Sequence, residues 1–326
     1  MSRNIKVAIN GFGRIGRAFY RLASQNDELN IVAINDLGDE ENLKYLLKYD
    51  SAQGIFDGAD SLGSVKMLHE KDPTILPWKE LGIDIVVEST GVFRKREQAR
   101  AHIYAGAKRV VISAPSDDAQ TVLMGENLED LNVTDVSSNA SCTTNATNPV
   151  VGALNESLGI EKAILTTVHS YTSTQRTVDL VNKKDPRRGR AAAVNIIPTS
   201  TGAAKATAKV HTYLEGKFDG ISLRVPTVAG SIIDLAFISK RHTSVEEVND
   251  ILQNAERNPR WQGLLATSNE ALVSSDIVGR TEASIVDLAM TRVVDGNLVK
   301  VLSWYDNEMG YANALLRHVI ETAKFI

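Results

Sequence analysis

Hydrophobic and polar positions alternate in two different ways along this chain. In the first part, short apolar runs (Lys6 to Ile9, Asn30 to Ile34, Ile83 to Glu88, Arg109 to Ser113) are separated by amphipathic stretches. One stretch carries its apolar stripe on Ile15, Phe19 and Leu22, and another, Arg94 to Ala105, suits a helix. Strand, crossover helix and parallel strand in repetition predict a parallel sheet covered on both faces. After about residue 160 the apolar segments lengthen and alternate at period two: Ile221 to Val225, Ser231 to Ile238, Ala283 to Arg292 and Leu298 to Trp304. That texture predicts an antiparallel sheet. Helices are expected over Thr199 to Val210, Ser244 to Asn254 and Ala312 to Phe325.

The expected fold class is therefore α/β: a Rossmann-type parallel-sheet domain plus an α+β domain with a mainly antiparallel sheet. The boundaries expected are 1–141 with 306–326 for the first domain, including the C-terminal helix, and 142–305 for the second. No repeat, low-complexity tract or Pro/Gly/Ser-rich linker interrupts the chain.

Composition narrows the partners. The 326 residues are 43% hydrophobic and 23% charged, with a formal net charge of −4. No global basic field recruits nucleic acid or an anionic membrane. The N-terminal segment passes at once into a strand-like run, which does not read as a secretory leader, and no apolar run is long enough to span a bilayer. One cysteine in the whole chain excludes an internal disulfide framework, argues against a thiolate metal site, and fits a reducing cytoplasm. That thiol is either an inert core residue or a reagent.

Gly11, Phe12, Gly13, Arg14, Ile15 and Gly16 form a Gly-x-Gly-x-x-Gly string that follows a strand and opens a helix. In that context the first glycine permits a tight turn, the second lets backbone approach a pyrophosphate, and the third lets helix pack on strand. The pyrophosphate would then meet the N–H groups of a helix N-terminus. Asp36 ends the next strand, about twenty residues on, where a carboxylate meets the ribose hydroxyls. A carboxylate there repels a 2′-phosphate, so the cofactor expected is NAD rather than NADP, and the neighbouring Leu37 adds no phosphate-binding charge.

Cys142 lies in Ser138-Asn-Ala-Ser-Cys142-Thr-Thr-Asn145, just before a helix-compatible stretch starting near Pro149. A helix N-terminus favours the thiolate. Among six histidines, His169 ends the apolar run Ala163 to Val168, where a cleft would form, whereas His69 and His102 lie in polar surroundings, His211 and His242 at element ends, and His318 on the last helix. A thiol and an imidazole also suit a protease, but a protease has no use for a dinucleotide. A thiol nucleophile beside a hydride acceptor points to aldehyde oxidation through a hemithioacetal.

These residues carry a resemblance. The segments INGFGRIGR (9–17), SNASCTTN (138–145), HSYT (169–172), STGAAK (200–205), RVPT (224–227) and SWYDNE (303–308) resemble those of the glyceraldehyde-3-phosphate dehydrogenase family, in order and nearly end to end. The resemblance implies Cys142 as nucleophile and His169 as its base. The cycle it implies runs through thiolate addition, hydride transfer to the nicotinamide, exchange of NADH for NAD, and attack of inorganic phosphate on the thioester. It also implies that Thr172, Arg224 and Arg188 hold the phosphate of glyceraldehyde 3-phosphate, and that Ser141, Thr143, Thr201 and Gly202 hold inorganic phosphate. Asn307 is similar to the family residue that bonds the nicotinamide carboxamide, Tyr311 to an aromatic packing nearby, and Thr90 and Ser113 to residues lining the cofactor groove. The stretch from Thr172 to Asn195, with Lys183, Lys184, Arg187, Arg188 and Arg190, corresponds to a loop that reaches a neighbouring subunit, which implies a homotetramer with dihedral symmetry.

The chain also departs from the family pattern. Ala146 stands where a second cysteine is common, so no neighbouring thiol can form a disulfide with Cys142. Residues 50–72 are shorter than usual, which touches the adenine side of the pocket, and residues 228–231, Val181 and residues 182–186 are variants. An erythrose-4-phosphate dehydrogenase, sharing the nucleophile and base but releasing product by hydrolysis, is the nearest rival. A non-enzymatic NAD- or RNA-binding role is a more distant one.

Overall fold

The computed structural model describes residues 4–183 and 185–326; Lys184 of the basic cluster lies outside them, as do residues 1–3. Contacts divide the chain into two compact units: residues up to Ser141 with Ala312–Ile326, and Cys142–Tyr311.

The first unit contains β1 (Ile5–Asn10), α1 (Arg14–Ala23), β2 (Leu29–Asn35) and α2 (Glu40–Lys48). A two-strand hairpin, β3 (Tyr49–Asp50) with β4 (Gly54–Ile55), and the edge strand β5 (Lys66–Leu68) occupy the shortened segment. Then come α3 (Trp78–Leu81), β6 (Ile85–Glu88), α4 (Arg96–Ala99), α5 (Ala101–Tyr104), β7 (Arg109–Ile112), β8 (Gln120–Thr121) and β9 (Val136–Ser138). Seven strands form one sheet in the order β5-β2-β1-β6-β7-β9-β8, and every pairing in it is parallel. Both faces are covered. Ile5, Val7 and Ile9 of β1 pack with Phe19 of α1 and with Leu315 and Val319 of the C-terminal helix, whereas Ala8 packs with Trp78, Val86 and Ala99 on the other side. The helix expected over Arg94 to Ala105 is two four-residue pieces that meet at Arg100.

The second unit begins with α6 (Cys142–Leu158) and β10 (Ile160–Ser170), followed by β11 (Ile197–Ser200), α7 (Ala203–Val210), β12 (Phe218–Val225) and β13 (Ser231–Ser239). It continues with α8 (Val245–Arg257), β14 (Leu265–Ser268), β15 (Ser284–Val294) and β16 (Leu298–Tyr305), and α9 (Met309–Ala323) starts here. The sheet order is β11-β12-β10-β13-β16-β15-β14. It is mainly antiparallel, as expected, with β10 and β12 and also β14 and β15 running parallel. Leu165, Ile233, Leu235, Phe237, Val299 and Val301 are buried, and Val150, Leu154, Val248 and Leu252 supply the buried faces of α6 and α8. On the opposite face of the sheet, Ile164, Ile221 and Leu298 are exposed.

Two expected helix boundaries need correction. Thr199 lies in β11 rather than in a helix, and α7 starts only at Ala203, because Ile197 to Ser200 pair with β12. Helix α6 begins at Cys142, seven positions before Pro149, and Pro149 sits inside it. The polar run ahead of Pro149 is buried without loss because its hydroxyls find partners: Thr147 Oγ1 donates back to the Thr143 carbonyl at 2.8 Å.

Candidate active site

The glycine string behaves as its spacing requires. Gly11 has φ +96°, open to glycine at little cost, and a Cβ there would stand 2.5 Å from the Thr90 nitrogen. A Cβ on Gly16 would stand 2.2 Å from the Gly11 carbonyl oxygen, so helix and turn touch because this residue has no side chain. Gly13 faces open space, and as N-cap of α1 it offers no side chain to the helix's first amides. Those amides, with the helix dipole, suit an anion.

Gly11, Gly13, Asp36 and Thr90 line one cleft of about 790 Å³. The size and the unfilled glycine cradle fit a dinucleotide. The Asp36 carboxylate accepts from the amide of Phe12 at 2.6 Å and from that of Gly38 at 2.8 Å, which fixes it at the rim. Phe12 and Ile15 point into the core, with the Phe12 ring edge-on to Tyr20 at 5.7 Å. Arg14 pairs with Asp50 at 3.0 Å; burial pushes the Asp50 carboxyl up, but the Arg14 contact and the turn hydrogen bonds outweigh it and leave the carboxyl below its ordinary value. Ser113 follows β7, donates its amide to the Glu88 carbonyl, and stands outside this lining.

In the second unit the thiol and its candidate base meet directly: Cys142 Sγ lies 3.3 Å from His169 Nε2. Cys142 opens α6, and His169 is the next-to-last residue of β10. Ala140, two residues before the thiol, has φ +54° although it is not glycine, a left-handed turn that costs about 1 kcal/mol. His169 Nδ1 is 2.7 Å from the Ser170 carbonyl oxygen. The tautomer that donates this bond leaves the Nε2 lone pair facing the sulfur, as proton acceptance requires, whereas the tautomer whose Nδ1 accepts from Arg224 Nη1 carries its proton on Nε2.

Arg224 on β12 stands opposite His169 in the sheet register. Its Nη1 donates to the Ser170 carbonyl at 3.0 Å and lies 2.6 Å from His169 Nδ1. Burial, first, and the Arg224 charge, second, lower the His169 imidazole to about 3. Burial pushes the Cys142 thiol up; the Arg224 charge and the Thr143 hydrogen bonds pull it back only in part. Each charged form is thus disfavoured alone, but a thiolate beside an imidazolium is net neutral, so a proton passing across 3.3 Å creates no isolated charge.

Behind this pair the buried Tyr305 hydroxyl bridges Thr143 Oγ1 at 2.9 Å and Thr167 Oγ1 at 2.8 Å, and its ring meets His169 edge-on at 5.9 Å. Sequence reasoning gave Tyr305 no role, although it lies within the quoted segment SWYDNE. The Thr143 hydroxyl is thus engaged there, and its amide bonds the Cys142 sulfur. Thr172 shares its hydroxyl with Thr174 at 2.9 Å. Arg188 Nε donates to Thr199 Oγ1 at 2.8 Å and lies 3.6 Å from Asp185, close enough for its charge to act on Arg224. Thr201 Oγ1 accepts from the Ala203 amide at 3.2 Å, and Gly202 is the N-cap of α7. Asn307 is buried, its Oδ1 accepting from Ser231 Oγ at 3.0 Å, and Tyr311 is buried in the first turn of α9. Ser141 is half-buried immediately before Cys142, and Ala146 is fully buried within α6.

No group of metal-ligating side chains occurs among the described residues, and no helix of theirs is long and apolar enough to cross a membrane.

Comparison with known proteins agrees with this geometry. The family model described as "Glyceraldehyde 3-phosphate dehydrogenase, NAD binding domain" matches residues 5–96, and the one for the C-terminal domain matches residues 141–307. The chain is 48% identical over 334 residues to the glyceraldehyde-3-phosphate dehydrogenase of Geobacillus stearothermophilus, covering 99% of this chain and 98% of that one. It is 50% identical over 324 residues to that of Thermotoga maritima, covering 95% and 97%. With a cofactor-sized cleft over a glycine turn, a thiol in contact with a histidine, and both family models matched, the chain belongs to the glyceraldehyde-3-phosphate dehydrogenase family.

Proposed function

We propose that the protein oxidises and phosphorylates D-glyceraldehyde 3-phosphate to 1,3-bisphosphoglycerate with NAD and inorganic phosphate. The observation that carries this reading is the 3.3 Å contact between Cys142 Sγ and His169 Nε2, with Arg224 beside it. Cys142 adds to the aldehyde while His169 takes the thiol proton and then steadies the alkoxide. Bound NAD supplies the hydride acceptor that turns the hemithioacetal into a thioester. Phosphate attack on the thioester carbonyl then releases the acyl phosphate and returns the thiolate.

Arg224 with Thr172 and Arg188 binds the substrate phosphate, for which a planar fork of donors is suited. Ser141, Thr143, Thr201 and Gly202 receive inorganic phosphate through hydroxyls and backbone amides. The Gly11 to Gly16 turn holds the pyrophosphate, Asp36 the ribose, Thr90 and Ser113 the groove, and Asn307 with Tyr311 the nicotinamide. On this reading residues 1–141 and 306–326 serve the cofactor and residues 142–305 the chemistry.

The working form is a homotetramer. Its support is apolar surface left open: Ile164, Ile221 and Leu298 on one sheet face, and Val178, Leu180, Val181, Val194 and Ile196 on the loop that also carries the basic residues. Arg190 and Arg188 of that loop pair with its own Asp179 and Asp185, which leaves less basic charge for a nucleic acid. Dependence on one reduced thiol suits the cytoplasm. The test is NADH formation from glyceraldehyde 3-phosphate and from erythrose 4-phosphate, each with and without phosphate. Phosphate-independent turnover that prefers erythrose 4-phosphate would replace this reading with its rival.

A further inference from the structure

The cofactor unit holds a buried polar chain that none of the contacts above uses. Asn10, Asn35 and Glu88 end three neighbouring parallel strands on one rung, since Asn10 pairs with both of the others. All three are buried, and His102 on α5 is fully buried beside them, not in the polar surroundings its sequence context implied. Trp78 Nε1, which can only donate, bonds His102 Nδ1 at 3.0 Å. The His102 proton is therefore on Nε2, 3.1 Å from Glu88 Oε2. Asn10 Nδ2 donates to the same oxygen at 2.6 Å. Glu88 Oε1 accepts from the amide of Thr90 at 2.9 Å and from its hydroxyl. Donors thus reach both oxygens of one buried carboxylate twice over.

The chain continues on the other side. Asn35 Nδ2 donates to Asn10 Oδ1 at 2.7 Å and to the Glu70 carbonyl at 2.8 Å, and the Glu70 amide returns a bond to Asn35 Oδ1 at 2.8 Å. Its two ends are therefore the Thr90 and Glu70 segments, and both wall the cofactor cleft. Apolar residues would hold such a sheet together at least as well. What a satisfied polar network adds is a single permitted geometry.

We infer that His102 is a positioning residue for the cofactor: acting through Glu88 and Asn10, it fixes the spacing of the Thr90 and Glu70 walls without touching the cofactor itself. The inference rests on reading this cleft as the NAD site. His102→Leu removes both bonds, whereas His102→Gln keeps an acceptor for Trp78 and a donor for Glu88. Trp78→Phe keeps an aromatic ring but removes the indole N–H together with part of the buried bicyclic ring, while leaving His102 itself in place.

The measurement is the dissociation constant for NAD, by titration calorimetry on the full chain, together with alkylation of Cys142 by iodoacetamide without cofactor. His102→Leu is expected to weaken NAD about tenfold, the effect of losing one bond to a charged group, with unassisted alkylation unchanged. His102→Gln is expected to recover most of the affinity, and Trp78→Phe to lose part of it. NAD binding within about twofold of the parent in His102→Leu, or in Trp78→Phe should the leucine variant not fold, would overturn the inference, as would equal weakening by Leu and Gln. A parent chain that binds no NAD would sink the cofactor reading and this inference with it.

Discussion

Replacing His169 by Asn is the sharpest test of the proposed chemistry, because the structure allows one function to be removed at a time. The asparagine amide can occupy the place of Nδ1 and keep the bond to the Ser170 carbonyl, 2.7 Å away in the parent, while Nε2 disappears. With Nε2 goes the 3.3 Å contact to Cys142 Sγ. The other histidines of this unit are differently engaged or placed: His211 bonds Asn148 and Tyr213, and His242 lies in a turn after β13. General-base assistance is worth about 100- to 10,000-fold, or about 3–5 kcal/mol of barrier, and direct contact with no substitute base places this site in the upper half of that range. Burial holds the thiol up, so without its acceptor Cys142 should also be alkylated by iodoacetamide at least about tenfold more slowly near neutral pH, with the rate profile displaced to higher pH. The assays are NADH formation at saturating aldehyde and alkylation rate against pH, with Cys142→Ser as the inactive reference. NADH formation within about threefold of the parent would refute the pairing, whatever the alkylation profile showed.

Other substitutions probe the flanking parts. Gly16→Ala would force a Cβ to within 2.2 Å of the Gly11 carbonyl oxygen, so NAD binding should weaken and stability fall by about 1–3 kcal/mol; calorimetric titration and denaturant unfolding check both, and an unaltered variant would remove the case for close helix–turn packing. Arg224→Leu should raise KM for glyceraldehyde 3-phosphate at least about tenfold, with less effect on unphosphorylated glyceraldehyde. The same variant should raise the His169 pKa, because the Arg224 charge is one cause of its lowering; an imidazole titration by NMR that stays in place would contradict the assigned cause. His169, His211 and His318 are held to about 3, 4 and 3, below their unfolded values. The unfolded chain therefore binds more protons below about pH 6.5, so stability is full above that pH and falls as pH drops, by up to about 1.4 kcal/mol per unit for each group. Unfolding free energies equal at pH 7 and pH 5 would exclude this.

The parallel first sheet was legible because buried strands read as continuous apolar runs, and the glycine turn because its chemistry is local: φ +96° at Gly11 and backbone contact at Gly16 are demands that only glycine meets. Family resemblance supplied the pairing of Cys142 with His169, since nothing in composition or period brings a helix start and a strand end together. The start of α6 was hidden by its polarity. Thr143, Thr144, Asn145 and Thr147 look like loop residues until their hydroxyls and amides are seen satisfied inside the unit. Thr199 was misread for a related reason: β11 is held by pairing with a strand about twenty residues later, which no local pattern announces. The Glu88–His102 chain joins residues up to 92 positions apart and left no local signal in the sequence.

His169 and Arg224 are facing members of one rung between two parallel strands, β10 and β12. Backbone pairing of this kind has no fractional settings, because a strand can slip only by whole residues and a slip of one turns every side chain to the other face. The distance between imidazole and guanidinium is therefore quantised by the ladder rather than adjusted by a loop. Lengthening or cutting the connection from 171 to 217 would leave that spacing untouched so long as the rung holds. Fine adjustment of the pair must come from side-chain reach, which makes Arg224→Lys a ruler for the site rather than a conservative exchange.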